Sequence, residues 1–427
     1  MHQQSLACRE PAHLARCGDA QALALALQAS RSDTLSTFAV FESALPGLAV
    51  PRRAEFNPLL WELGHLGWFQ SWWLGRYPAC GQGLRADPEL PRLPPPRAGA
   101  DALYDSSRVP LATRWQLALP GAHATRADLH SQLQQTLALL ATWPATAEPS
   151  LYFFRLALLH EDMHHEAALY TAQALGVNIT DARWQAPTLP TPPAALALAG
   201  GCFQLGSTSN SGFAFDNELG AHTVCTTPFE IDAQVLRWAE YLPFVEAGGY
   251  ADARWWTPAG DARRRSSAAQ APKYLRKAAG TPCGWQLWRG GAWQALPIDE
   301  PACHLTQHEA LAWCCWAGRR LPTEAEWEQA ALSEYGSEYG IEHVDQHGSA
   351  GSFRWGDVWE WTASPFAPYP GFRAHPYRDY SAPWFDGRPV LRGASFMTQP
   401  RLRHARFRNY FPAARNDVPA GLRSCAV

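Results

Sequence analysis

Leu159-His160-Glu161-Asp162-Met163-His164-His165-Glu166-Ala167-Ala168-Leu169-Tyr170 is the stretch on which the fold turns. It lies inside an apolar-periodic run from about Leu151 to Leu175, with Pro149 before it and Gly176 after it, and the spacing predicts one helix. On a helix, His160 and His164 stand one above the other, two imidazoles aimed at one point. That is how a helix offers two nitrogen ligands to a transition metal. Surface histidines on an amphipathic helix have the same spacing. Here the neighbours are apolar on both sides, so the pair is expected to face a bundle interior, where an unpartnered imidazole is costly. Metal ligation is the reading this favours.

The same residues match a second pattern. His160-Glu161-Asp162-Met163-His164 fits the HExxH of zinc proteases, in which the Glu is a general base. The rest of the chain argues against that chemistry.

The chain has 427 residues, enough for two or three domains with separate cores. Apolar residues make up 47% and charged residues 18%, with a net charge of -3 and no long run of like charge, so neither nucleic acid nor an anionic membrane is an expected partner. No apolar run reaches membrane-spanning length, and Met1 to Ala20 lacks the apolar core of a signal peptide, which points to the cytoplasm. The ten cysteines, irregularly spaced and without a CxxC, read as reduced thiols, with Cys314 and Cys315 filling core. Twenty tryptophans are more than packing alone comfortably explains.

The first half reads as helices. Asp19 to about Leu45 is amphipathic, and a second helix runs from Asn57, a plausible N-cap, through Leu74. This second helix carries one histidine, His65, among apolar and aromatic residues. Alone it would be a core histidine; beside His160 and His164 it becomes the natural third ligand. A Pro-rich connection (Pro88 to Pro96) leads to a third helix, about Arg126 to Trp143, and then to the helix with the HxxxH. Four helices with one long crossover make a bundle, a usual place for a metal held by facing helices. Residues 178–197 form a Pro-rich linker between a bundle at 1–177 and a domain at 198–427. Beyond it the texture changes to short strands rich in Gly, Trp and Arg. Trp285 to Trp293 reads as a hairpin turning at Gly290-Gly291.

Gly200-Gly201-Cys202-Phe203-Gln204-Leu205-Gly206-Ser207 resembles the opening strand of the formylglycine-generating-enzyme (sulfatase-modifying-factor) fold, an α+β fold related to C-type lectins. Four further segments follow in matching order: Ala317-Gly318-Arg319-Arg320-Leu321-Pro322-Thr323-Glu324-Ala325-Glu326-Trp327-Glu328, Gly356-Asp357-Val358-Trp359-Glu360-Trp361-Thr362, Val390-Leu391-Arg392-Gly393-Ala394-Ser395-Phe396 and Gly421-Leu422-Arg423. The first half, with His65 and His160-x-x-x-His164-x-Glu166, resembles the DinB-type metal bundle. That pairing is similar to the ergothioneine-pathway sulfoxide synthases and their selenoneine-synthase relatives.

The resemblance implies non-haem iron, Fe(II), on His65, His160 and His164, and O₂-dependent bond formation between the imidazole of hercynine and sulfur or selenium. It also implies a tyrosine that gives a proton or hydrogen atom during the reaction. Pro376-Tyr377-Arg378-Asp379-Tyr380-Ser381 matches that segment, which assigns Tyr377 as donor and Tyr380 as a substrate neighbour. A phenol suits the role because it can give either species. Asn409, and Tyr410 beside it, carry over as hercynine contacts. Two positions depart from the sulfoxide synthases: Phe411 stands where γ-glutamylcysteine users tend to have Asp, and Met163 where they have Gln.

Phe411 removes a partner for a peptide ammonium, and no closely spaced arginine clamp is evident; Arg108 and Arg114 are the nearest candidates. A selenosugar is therefore the expected donor, with Trp68, Trp72 and Trp73 as aromatic walls, although these tryptophans could equally be core. A sulfoxide synthase taking cysteine or γ-glutamylcysteine is the alternative. A copper-dependent formylglycine-type oxidase would need paired cysteines near the C-terminus, where only Cys425 lies. A non-catalytic binding module leaves the histidines without a purpose.

Overall fold

A computed structural model of the chain describes residues 11–143, 148–333 and 353–427; Cys8 and the first ten residues of the segment Met1 to Ala20 lie outside these. The first half contains helices α1 (Pro11–Cys17), α2 (Ala20–Ala44), α3 (Leu59–Gln70), α4 (Ala100–Tyr104), α5 (Ala122–Ala141) and α6 (Tyr152–Leu175). The long ones, α2, α3, α5 and α6, pack as the expected bundle. Asp19 caps α2 by accepting from the Ala22 amide at 2.9 Å. Gly176 ends α6 at φ 72°, a left-handed turn that glycine adopts without strain.

Three expectations shift. Asn57 does not cap α3: Pro58 holds that position, and the Asn57 side chain reaches Glu62 and Arg114 instead. The α-geometry of that helix stops at Gln70 and passes into a π-type turn, Ser71–Gly75. The third long helix begins at Ala122, a turn earlier than its apolar pattern suggests, with Gly121 in front of it.

α6 runs through the middle of the molecule, and every residue from Tyr152 to Asp162 is buried. A helix buried all round must find partners for each polar group it carries. Glu161 receives Arg31 through Nε at 2.7 Å and Nη2 at 2.9 Å. A carboxylate so engaged is not a free general base, which removes the protease reading.

The second half is α+β. One four-stranded sheet has the order 196–198, 229–231, 425–426, 319–320; another has the order 409–410, 389–393, 359–365, 420–421. Strand Leu196–Leu198 begins inside the segment expected to be linker. The hairpin Trp285–Arg289 to Ala292–Ala295 turns at Gly290 and Gly291, whose φ angles of 54° and 82° suit the twist of paired strands.

The segments that carried the fold resemblance meet in the interior as ion pairs. Arg423 and Glu360, both fully buried, pair with each other, and Trp327 donates to Glu360 at 2.7 Å. Arg392 meets Glu328 and Glu324, and Arg408 shares Glu324 at 2.7 Å.

The cysteines are not all reduced. Cys202 and Cys225 form a disulfide across strands Gly201–Leu205 and His222–Thr226, where antiparallel register sets them directly opposite. A pair far apart in the chain becomes adjacent only through strand pairing, which spacing does not reveal. Cys314 is core, but Cys315 faces solvent. Among the described residues no helix is long and apolar enough to cross a membrane.

The two halves are joined along one face of α6. Asp162 accepts from Arg401 at 2.8 and 3.0 Å, and His165 lies 3.1 Å from Gln399. Glu166 accepts from Trp359 (2.7 Å), Ser395 (2.6 Å) and Thr398 (2.9 Å) through a single carboxyl oxygen. Glu166→Ala leaves the Trp359 indole and at least one of the two hydroxyls without an acceptor, since Ser395 and Thr398 can also bond each other at 3.1 Å. At ~1–3 kcal/mol for each orphaned group, a loss of about 3–5 kcal/mol is expected. Urea unfolding measures it, and an unchanged midpoint would show that the carboxyl does not join the halves.

Candidate metal centre

His65 comes from α3, and His160 and His164 come from α6 on the face opposite Glu166. Their potential ligand atoms all lie within 4.8 Å of one another. Two of the three are oriented by acceptors behind them. Nδ1 of His65 is 2.8 Å from the Tyr104 carbonyl, which can only accept, so Nδ1 carries the proton and Nε2 the lone pair. Nδ1 of His164 is 2.6 Å from Glu62 Oε2, which fixes its tautomer in the same way. The ring of His160 stacks on Phe69, centroids 3.5 Å apart.

The electrostatics favour unprotonated imidazoles. Burial, then the charge of His164, pushes His65 down to about 3. The same two causes, with His65 added, hold His160 well below the ordinary histidine value. Burial would raise the Glu62 carboxyl, but His164 beside it and the Asn57 amide bring it to about 2. The result is two imidazoles held neutral, at His65 and His160, and one fixed carboxylate behind His164. This donor set fits a borderline divalent transition ion.

Tyr377 is at the site. Its ring lies 6.2 Å from His160, 5.1 Å from Phe69 and 6.0 Å from Trp73. Burial, then Asp379 and Asp105, raises its phenol above the ordinary tyrosine value, so it keeps its proton at neutral pH. Tyr380 stacks on Phe215 at 4.3 Å, and its hydroxyl donates to the Met163 sulfur at 3.7 Å. The two positions singled out separately in the sequence thus meet.

The remaining expected contacts divide. Trp68 stacks on His65 at 5.7 Å and on Trp72 at 5.2 Å, while its indole nitrogen donates to Asp101 at 2.7 Å. Trp73 is core, parallel to Phe153 at 5.2 Å. Tyr410 braces the Tyr377 loop from behind, its hydroxyl donating to the Tyr380 carbonyl and its ring stacked on Phe366 at 4.1 Å. The Asn409 side-chain oxygen is taken by the Tyr410 amide at 2.8 Å. Phe411 lies under the Arg415 guanidinium at 4.5 Å.

Neither candidate clamp arginine is free for a substrate. Arg108 is 81% exposed and pairs with Asp105, whereas Arg114 is buried on Trp61 and donates to Asn57. Sequence reasoning missed Glu62, Asn57 and Trp61. A glutamate three residues before His65 shares its helical face, which was the one available signal. Cys314 and Cys425, the cysteines nearest to a C-terminal pair, are buried, and burial pushes the Cys425 thiol up to about 12.

Comparison with known proteins bears on the whole chain. Residues 182–355 match the family model of the sulfatase-modifying factor enzyme 1-like domain. The hercynine oxygenase of Mycolicibacterium smegmatis is 32% identical over 413 residues, covering 86% of this chain and 90% of that one. The hercynine oxygenase of Mycobacterium tuberculosis is 31% identical over 411 residues, with the same coverage of 86% and 90%. The formylglycine-generating enzyme of Streptomyces coelicolor is 32% identical but covers only 47% of this chain. A structure of PvdO from Pseudomonas aeruginosa covers 55% of this chain and 98% of its own at 17% identity and a TM-score of 0.34, too slight a likeness to argue from. The relatives that span both halves are the hercynine oxygenases, and the chain belongs to the hercynine oxygenase family.

Proposed function

We propose that this member of the family binds iron(II) through His65, His160 and His164 and uses O₂ to join the imidazole of hercynine to selenium from a selenosugar. The observation that carries the reading is the convergence of three imidazoles within 4.8 Å, two buried and that of His164 half-buried, with the Tyr377 ring 6.2 Å from His160. Bound there, iron would supply one-electron chemistry toward O₂ while leaving positions for substrates. The chain's own residues do the rest. His65 and His164 are held in the right tautomer by Tyr104 and Glu62, and Tyr377 keeps a transferable hydrogen beside them.

Hercynine carries a permanent cation that cannot donate a hydrogen bond, so aromatic faces and oxygen dipoles are its natural partners. Trp68, Trp72 and Tyr377 supply aromatic surface beside the histidines. The selenosugar preference is supported by what the site does not offer a charged peptide. A dicarboxylate thiol needs fixed cations and an acid for its ammonium. Phe411 stands at the expected acidic position, Arg415 above it is already paired with Asp417 at 2.9 Å, and Arg114 spends its donors on Asn57, Val109 and Ser106.

His160→Ala or His164→Ala should lose iron, measured by metal analysis of the purified protein. Glu62→Ala should keep all three ligands yet weaken iron binding by about 10–100-fold, the usual effect of removing a group behind a metal ligand.

Tyr377→Phe should bind iron and hercynine normally while the rate or the product changes, because only the transferable hydrogen is gone. Full activity with an unchanged product would remove Tyr377 from the reaction.

Competition settles the donor. Anaerobically iron-loaded protein, given hercynine, O₂ and equal amounts of selenosugar, cysteine and γ-glutamylcysteine, should consume the selenosugar far faster, read by mass spectrometry. Efficient turnover of either thiol would make the chain a sulfoxide synthase instead.

A further inference from the structure

We propose that Arg114 is a positioning residue for the metal centre, acting on two of its three histidines from outside the ligand set. The inference rests on the metal reading above.

Arg114 is buried at 8% exposure, and its guanidinium stays charged in any protein environment. Each of its three nitrogens has a partner. Nε and Nη2 reach the Val109 carbonyl at 3.1 and 2.9 Å, Nη2 also reaches the Ser106 carbonyl at 3.3 Å, and Nη1 donates to Asn57 Oδ1 at 2.6 Å. From there the polar chain has a direction. With Oδ1 of Asn57 turned to the arginine, its Nδ2 must point the other way, and it donates to Glu62 Oε1. The second oxygen of Glu62 then receives His164 Nδ1 at 2.6 Å. Arginine, amide, carboxylate and imidazole form one unbroken series.

A second branch leaves the flat face of the same guanidinium. It lies 3.7 Å above the Trp61 ring, within the range of a cation–π contact. Trp61 is pinned by its indole nitrogen to the Leu103 carbonyl at 2.7 Å and lies parallel to His65, centroids 4.8 Å apart and planes 10° apart. His65 is in turn held by the carbonyl of Tyr104. Residues 103–114 therefore frame the centre at four points, with Arg114 common to both branches.

The amide is the weak point, because its two ends differ only in which atom faces which neighbour. Without Arg114 the Asn57 amide oxygen loses its charged partner, and only the Glu62 carboxylate still holds the Nδ2 end. The amide can then pivot about that one bond, so Glu62 is less firmly placed and with it the acceptor that sets the His164 tautomer. A guanidinium that merely filled space would have no such consequence.

The test uses the full chain with iron(II), read by chelator competition, and with cobalt(II), read by its ligand-field bands. Arg114→Met keeps an apolar stem over Trp61 and removes every donor; Asn57→Leu breaks the chain one link further on. Each should weaken metal binding by about tenfold and shift the cobalt bands, at the lower end of effects from behind a metal ligand. The double variant should lose no more than Arg114→Met alone, since the branch through Asn57 is already cut there. Arg114→Lys, which keeps a charged donor, should recover part of the loss. Far-UV circular dichroism and melting temperature identify folded variants, and if Arg114→Met does not fold, Asn57→Leu decides. A folded variant with wild-type affinity and bands overturns the proposal, as do additive losses in the double variant. Wild-type protein that takes up neither ion ends the metal reading itself, and this inference with it.

Discussion

α6 crosses the interior with almost no solvent on any side, and this constraint organises the molecule. Each polar group on a fully buried helix must be satisfied by another element, because an orphan costs about 1–3 kcal/mol. Arg31 answers Glu161 from α2, and Arg401 answers Asp162 from the second half. Trp359, Ser395 and Thr398 answer Glu166. On the opposite face His160 and His164 turn toward His65. One helix thus holds the histidine cluster on one side and the second domain on the other, so neither half can shift without disturbing the other.

The residues that make the second half recognisable do not perform its chemistry. Arg423 with Glu360, and Arg392 with Glu324 and Glu328, are ion pairs buried where charge is tolerated only in company. Their service is to fix loops of little regular structure. The loop bearing Tyr377 benefits: Ser381 donates to Asp216, Tyr410 donates to the Tyr380 carbonyl, and Tyr152 lies 3.0 Å from His375 Nδ1. A phenol at the end of such a loop is held in place although its own segment is irregular.

The side chains around the three histidines already have partners of their own. Arg114 occupies a position from which a substrate carboxylate could be imagined as its target, yet it faces inward to Asn57 and Trp61. Met163 and Tyr380 meet each other, an apolar sulfur against a phenol. Changes at Phe411, Met163 and the arginines alter what can be held without touching His65, His160 or His164.

By itself the sequence determined the elements and which three histidines converge. The helical period around His160 and His164, the aromatic helix around His65 and the ordered motifs of the second half are local patterns, and local patterns survive into the fold because each element buries its own apolar face. It also paired Tyr377 with the centre, through resemblance rather than periodicity. What only the tertiary structure decided is how distant side chains meet. The Cys202–Cys225 bond depends on strand register, the role of Asn57 depends on where Arg114 arrives from across the crossover, and Glu62 becomes the support of His164 only when α3 lies beside α6. Hydrogen bonds and ion pairs of this kind act over about 3 Å between residues far apart in the chain, and no spacing along the chain encodes them.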